Sequence, residues 1–264
     1  MRLGHITGTN LNRILKFFFL LLLVWTVALH AQGTEGSSSS APGAQSSNAT
    51  KMMPSVRFSA DPVADVRDHR RWEMGPFVNY GNGFGNRDQY RFFSGGFQLG
   101  KVLTPVLHAG KVSGQFEYAG NIMPLWLAFT PAPHQGLYSC SGSPCYFPVG
   151  GGTFYGASIT PVIFRWNFLA HSRRIQPWFQ AAGGLIYTTH KFPPNILVVH
   201  GKPGGTSVWN FSPQGGGGIH YFTRPGRSID LGVNGVHISS ASLGDKNPGV
   251  NASIQIQVGY TIWK

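Results

Sequence analysis

His237 and Ser239 stand two residues apart in the stretch Gly235-Val236-His237-Ile238-Ser239-Ser240. On a β-strand, residues i and i+2 share one face, so this spacing brings an imidazole beside a hydroxyl. A serine hydroxyl is a weak nucleophile until a neighbouring base takes its proton. A histidine in that place makes a nucleophile–base pair suited to ester cleavage. The same two residues, taken alone, are equally at home on the polar rim of a sheet. The elements that carry them decide between the two readings.

Those elements read as strands. In Val112–Ile122, Val112, Phe116, Tyr118 and Ile122 alternate with Ser113, Gln115, Glu117 and Asn121. In the last segment, Ile254, Ile256, Val258, Tyr260 and Ile262 alternate with Gln255, Gln257, Gly259 and Thr261. A period of two with one apolar and one polar row predicts strands between two different environments. Eight such segments fall at about 72–80, 92–102, 112–123, 154–169, 175–188, 207–222, 227–238 and 251–263.

An even count, connections that alternate short and long, and aromatics near the strand ends (Trp72, Tyr80, Trp166, Tyr260) predict an all-β fold. The expectation is an eight-stranded antiparallel up-and-down transmembrane barrel with short turns toward the periplasm and long loops outside. Polar inward rows predict a packed lumen and oppose the alternative, a soluble lipocalin-like carrier with a hollow apolar interior. His237 and Ser239 then lie on the row of Ile229, Leu231 and Val233, which faces lipid, where polar groups are costly unless used.

Composition agrees. Only 11% of residues are charged and 13% are aromatic, which excludes intrinsic disorder. The 36 glycines disfavour a mainly helical fold. Arg2, Arg13 and Lys16 precede a short apolar run, Phe17–Trp25, that fades at Ala28. The run is shorter than the roughly 20 residues of a spanning helix. Residues 1–31 therefore read as a secretory signal peptide cut after Ala31. Residues 32–70, with Ser37-Ser38-Ser39-Ser40 among them, read as a flexible periplasmic tether before a barrel at 71–264.

Past residue 31, Lys and Arg outnumber Asp and Glu, within a total formal charge of +12. The excess favours an anionic partner, and export turns that expectation from nucleic acid to lipid phosphate. Cys140 and Cys145, separated by Ser-Gly-Ser-Pro in the longest loop, predict a small disulfide hairpin in an exported chain. The Gly95–Val102 stretch approaches a phosphate-binding loop but lacks the Ser/Thr after Lys101 and lies inside a strand, so it is set aside. The Gly215–Gly218 run marks close backbone approach or a kink in the wall.

His237-x-Ser239, followed by Asn247-x-Gly249 before the last strand, resembles the C-terminal signature of the PagL-type lipid A 3-O-deacylases, a group also labelled acyloxyacyl hydrolase. The resemblance implies an eight-stranded outer-membrane barrel that removes an ester-linked acyl chain from lipid A with a Ser-His-acid triad on its outer wall. It implies Ser239 as nucleophile, His237 as general base, and Asn247 with Gly249 as support for the turn. Two positions depart from the family pattern. Ser240 stands where an asparagine contributes to the oxyanion hole, and Asn251 stands where the triad acid falls. Asp245 is close enough in sequence to serve as a substitute acid.

The expected function is thus an outer-membrane esterase acting on lipopolysaccharide, with no cofactor and no metal. Arg87, Arg91, Lys191, Lys202 and Lys246 are the cations expected near its phosphates. A homodimer is left open. The alternative is a non-catalytic small barrel with an adhesive or structural role, or a degenerate relative of the enzyme.

Overall fold

The computed structural model describes residues 61–140, 142–149, 151–194, 196–198, 202–204, 207–241 and 251–264. A helix, α1 (Pro62–His69), precedes the first strand. The barrel wall then runs through β1 (Trp72–Gly83), β2 (Arg91–Val102) and β3 (Gly114–Phe129). A hairpin of β4 (His134–Cys140) and β5 (Ser143–Val149) follows, then β6 (Thr153–Phe168) and β7 (Ile175–Phe192). A second small hairpin joins β8 (Ile196–Val198) and β9 (Lys202–Gly204). The wall resumes with β10 (Ser207–Phe211), β11 (Gln214–Arg224), β12 (Arg227–His237) and β13 (Ala252–Trp263).

All wall pairings are antiparallel, and β13 pairs with β1 from Glu73↔Trp263 to Gly83↔Ser253, which closes the barrel. Strands β10 and β11 lie end to end along β7, so the wall has eight staves. The expected sixth segment is therefore one stave broken at Ser212-Pro213, where proline has no N–H for the ladder. The neighbouring Ser212 N–H still reaches the Gly184 carbonyl at 2.8 Å.

The two rows separate as the alternation predicts. Exposed Val78, Leu99, Ile122, Val233, Ile256 and Val258 form an apolar outer wall, and no described helix is long and apolar enough to cross a membrane. Strands do the crossing, as in a membrane barrel. The inner row is polar and connected. Arg165 donates to both oxygens of Glu73 at 2.9 and 3.0 Å and to Glu117 at 3.3 Å. It also donates to Gln180, which passes the chain of bonds to Asn234 and Gln257. Buried charges of this kind persist only when paired and hydrogen-bonded. Trp178 lies across Gly218 and Gly232, with ring atoms 2.5 and 2.6 Å from where a Cβ would sit, so close approach accounts for part of the glycine run.

Three expectations need correction. The last part of the tether expected over 32–70 is helical instead: α1 is capped by Asp61, started by Pro62, and buries Val63 and Val66. These valines join Val102, Phe222 and Trp263 in an apolar cluster that covers the short-turn mouth. Residues 1–31 and 32–60 lie outside those described. Second, β3 extends to Phe129 instead of ending near 123, because it keeps partners on both β2 and β6 through a bulge at Met123/Trp126. Third, the loop-side end of the lumen is apolar. Tyr90, Phe92, Trp126, Phe154 and Phe192 cluster there with Val236 and Ile238.

Candidate active site

The site forms where the chain changes partners. Strand β12 pairs with β13 as far as His237↔Ala252, and the Ile238 N–H still reaches the Asn251 carbonyl at 2.8 Å. Beyond it the chain pairs on its other edge. Ser239 N–H bonds to the Phe211 carbonyl at 3.0 Å, and Phe211 N–H to the Ser239 carbonyl at 2.7 Å. His237 N–H bonds to the Pro213 carbonyl at 2.9 Å.

Burial alternates along this segment without a break. Val236, Ile238 and Ser240 are 7%, 1% and 3% exposed, whereas His237 and Ser239 are half-buried on the wall side with Leu231 and Val233. Val236 and Ile238 belong to the aromatic cluster in the lumen, so a packed apolar core backs the strand. Packing fixes the rotamers of such a segment better than a free loop does.

The Ser239 hydroxyl accepts from the Ala241 N–H at 3.1 Å, within a turn where Ala241 takes φ +50°. A non-glycine residue in this left-handed region is strained by about 1–3 kcal/mol and clusters at functional sites. The bond uses one lone pair of Oγ. The His237 imidazole lies beside the backbone of Asn251, whose carbonyl accepts from the Ile238 N–H.

An apolar groove of about 380 Å³ runs along the wall beside this segment, lined by Pro161, Gly183, Gly184, Leu185, Phe211 and Pro213. Its origin is local. The ladder between β6 and β7 slips between Ile159 and Val162, and β10 ends before Pro213. A Cβ on Gly183 would meet no atom within 4 Å, so the missing side chain leaves open space between the two irregularities. Phe211 belongs to both features: it lines the groove and is the cross-strand partner of Ser239. The residues of this groove carry no reactive side chain that sequence alone would single out. Pro161 and Pro213 within strand-like runs were the available signal.

The other expected residues are placed as follows. Asn251 is 1% exposed, neither atom of its amide has a hydrogen-bond partner among the described residues, and its backbone lies beside His237. Ser240 is buried on the opposite face from Ser239, and its hydroxyl has no hydrogen-bond partner among the described residues. Asp245, Asn247, Gly249 and Lys246 lie outside the described residues, as do the side chains of Lys202, Cys140 and Cys145. In the backbone register, Cys140 is opposite Ser143 and Cys145 opposite Tyr138.

Of the expected cations, Arg87 is 5% exposed, with its guanidinium 5.5 Å from the Tyr90 ring centroid, so it is not open to a phosphate. Arg91 donates to the carbonyls of Asp88 and Tyr90, and Lys191 is exposed.

A second serine–histidine–carboxylate grouping lies in the lumen. His220 Nδ1 is 2.7 Å from Asp230, and Ser228 and Thr261 also donate to that carboxylate. Ser228 bonds the acid instead of the imidazole, and both Ser228 and His220 are sealed from solvent. The trio is a packing element. Among the described residues no three His, Cys, Asp or Glu side chains gather as a metal site.

A closed antiparallel barrel of eight staves with an apolar outer wall defines a class, the small membrane β-barrels, and this one carries a histidine and a serine on its wall beside an apolar groove. The family model described as lipid A 3-O-deacylase (PagL) matches residues 118–261, which include His237, Ser239 and Asn251. The chain belongs to that family.

Among solved structures, the outer membrane enzyme PagL is 16% identical, with 72% of this chain and 98% of that chain covered at a TM-score of 0.39. Neisserial surface protein A is 12% identical, with 72% and 96% covered at 0.42. The outer membrane protein OprG from Pseudomonas aeruginosa is 9% identical, with 75% and 96% covered at 0.35. No curated protein matches the chain.

Proposed function

We propose that the protein is an outer-membrane esterase that removes an ester-linked acyl chain from lipid A, with Ser239 as nucleophile and His237 as general base. The observation that carries this reading is the placement of both residues on the lipid-facing wall, next to a groove with no charged lining residue. Phosphates of the headgroup would lie toward the long loops, where Lys191 is exposed.

The chemistry follows from that placement. His237 takes the Ser239 proton as Oγ attacks the ester carbonyl. The tetrahedral intermediate collapses to an acyl-serine, and His237 returns the proton to the departing sugar hydroxyl. Water, deprotonated by the same imidazole, then cleaves the acyl-serine and releases a fatty acid. The acyl chain lies along Leu185 and Phe211 throughout, so it need not leave an apolar environment. The backbone of Asn251 lies beside the imidazole, and Asp245, close in sequence, is assigned the carboxylate that steadies the imidazolium.

A second reading, a non-catalytic relative, draws support from the lack of a carboxylate beside His237 among the described residues. One comparison separates the two. Lipid A from cells expressing the wild type and the Ser239→Ala variant is weighed by mass spectrometry. The esterase reading expects one hydroxyacyl chain lost with the wild type and retained with the variant. Identical acylation in both would favour the non-catalytic reading.

A further inference from the structure

Among the described residues, exposed cations gather at the end of the barrel opposite the candidate site. Arg71, Lys101, Lys111, Arg173, Arg174 and Arg224 are all exposed at the short-turn end. They come from the entry to β1, the end of β2, the β2–β3 connection, the β6–β7 turn and the β11–β12 turn. They therefore surround the mouth instead of forming one patch. The described ion pairs of this end, Arg67–Asp68 and Arg70–Asp65, involve none of the six.

The collar sits at a definite depth. Directly beside it, Trp72, Leu107, Val112 and Ile175 are 44%, 43%, 56% and 38% exposed on the wall. They mark the edge of the apolar band. The Lys101 ammonium stands 4.9 Å from the Trp72 ring centroid, the arrangement of an aromatic belt residue and a cation reaching toward headgroups. In bacterial barrels the short turns lie on the periplasmic side.

We infer that this ring of exposed cations, none of them in an ion pair among the described residues, binds anionic phospholipid headgroups of the periplasmic leaflet, so that the barrel carries a shell of acidic phospholipid around its short-turn end. A ring at headgroup depth fits many small lipids around a perimeter. A single folded partner or a polymer strand would meet it on one side only. Cations near a membrane surface contribute about 1 kcal/mol each toward anionic lipid, roughly fivefold per contact. The inference does not depend on the esterase reading.

The test uses the full-length barrel, folded as judged by heat-modifiable mobility, in micelles holding equal mole fractions of phosphatidylglycerol and phosphatidylcholine. Native mass spectrometry counts the lipids retained. The expected result is a preference for phosphatidylglycerol of at least about fivefold. It should fall to near one in a variant carrying Arg71→Gln, Lys101→Gln, Arg173→Gln and Arg224→Gln, and persist in Arg91→Gln/Lys191→Gln at the loop end. Should the fourfold variant not fold, the single substitutions are expected to lower the preference stepwise.

Equal retention of the two lipids by the wild type would overturn the inference, as would loss of preference only in the loop-end variant. Displacement of the lipid by inorganic phosphate beyond that caused by sodium chloride of equal ionic strength would point to free phosphate instead. Collar-dependent sedimentation with purified peptidoglycan, without phospholipid preference, would assign the ring to a polymer.

Discussion

Phe211 and Ser239 exchange both backbone hydrogen bonds, at 2.7 and 3.0 Å, although they belong to segments separated by the whole of β11 and β12. The pairing exists because β10 stops at Phe211 and β12 runs past its own partner β13. Two strand endings thereby bring a groove-lining ring alongside a hydroxyl on the same face of the wall.

The groove should therefore act on substrate chain rather than on folding. Gly183→Leu places its side chain in space where a Cβ meets nothing within 4 Å, so the barrel should fold normally. We expect a raised KM for long acyl chains with a smaller effect on short ones, read by quantifying released fatty acids from substrates of graded length. Unchanged selectivity would detach the groove from the reaction.

The orientation of His237 gives opposite expectations for two nearby residues. Asn251→Ala keeps the carbonyl and removes only an amide that has no hydrogen-bond partner among the described residues, so activity should stay within about threefold of wild type. Asp245→Ala should lower kcat by about two to four orders of magnitude if that carboxylate steadies the imidazolium. Steady-state deacylation rates of the two variants decide the matter. Normal rates for Asp245→Ala would remove Asp245 from the mechanism.

Stability should depend heavily on Arg165. Its replacement by Met leaves the Glu73 and Glu117 carboxylates buried without their cation. The loss should be about 3–5 kcal/mol, visible as a lower unfolding temperature by heat-modifiable electrophoresis. Combining Arg165→Met with Glu73→Gln and Glu117→Gln should recover much of it, since the unpaired charges go with the pair.

The α1 helix should release from the barrel without unfolding it. Val63→Asp with Val66→Asp puts two carboxylates into the cluster with Val102, Phe222 and Trp263. Trypsin should then cut near Arg67–Arg71 many times faster, mapped by peptide mass, while the barrel keeps its folded mobility. Equal cutting rates would show that the helix is held by its hydrogen bonds alone, such as that from Gln115 to the Arg67 carbonyl.

The wall was legible in the sequence because lipid and a packed polar lumen impose a period of two on every stave. Rows such as Ile254–Ile262 state strand, face and environment together. The same logic placed His237 and Ser239 outward with Leu231 and Val233, since two-residue steps do not change face. The inward placement of Ser240 follows from that parity too. What periodicity does not encode is the partner of each strand end. The Phe211–Ser239 pairing, the groove at Gly183 and the meeting of His237 with a main chain depend on bulges and on where ladders stop. Helix α1 was hidden by its shortness and by the polar stretch before it, since one helical turn of Val63 and Val66 reveals its face only when the mouth it covers is known.

A long-chain alkyl fluorophosphonate gives the most direct reading of whether Ser239 is an activated nucleophile on the wall. Intact mass followed by peptide mapping should find one adduct, on Ser239, in the wild type, and none in Ser239→Ala or His237→Ala. A wild type that cleaves lipid A while Ser239 stays unlabelled, or that is labelled on a different serine, would contradict the assignment.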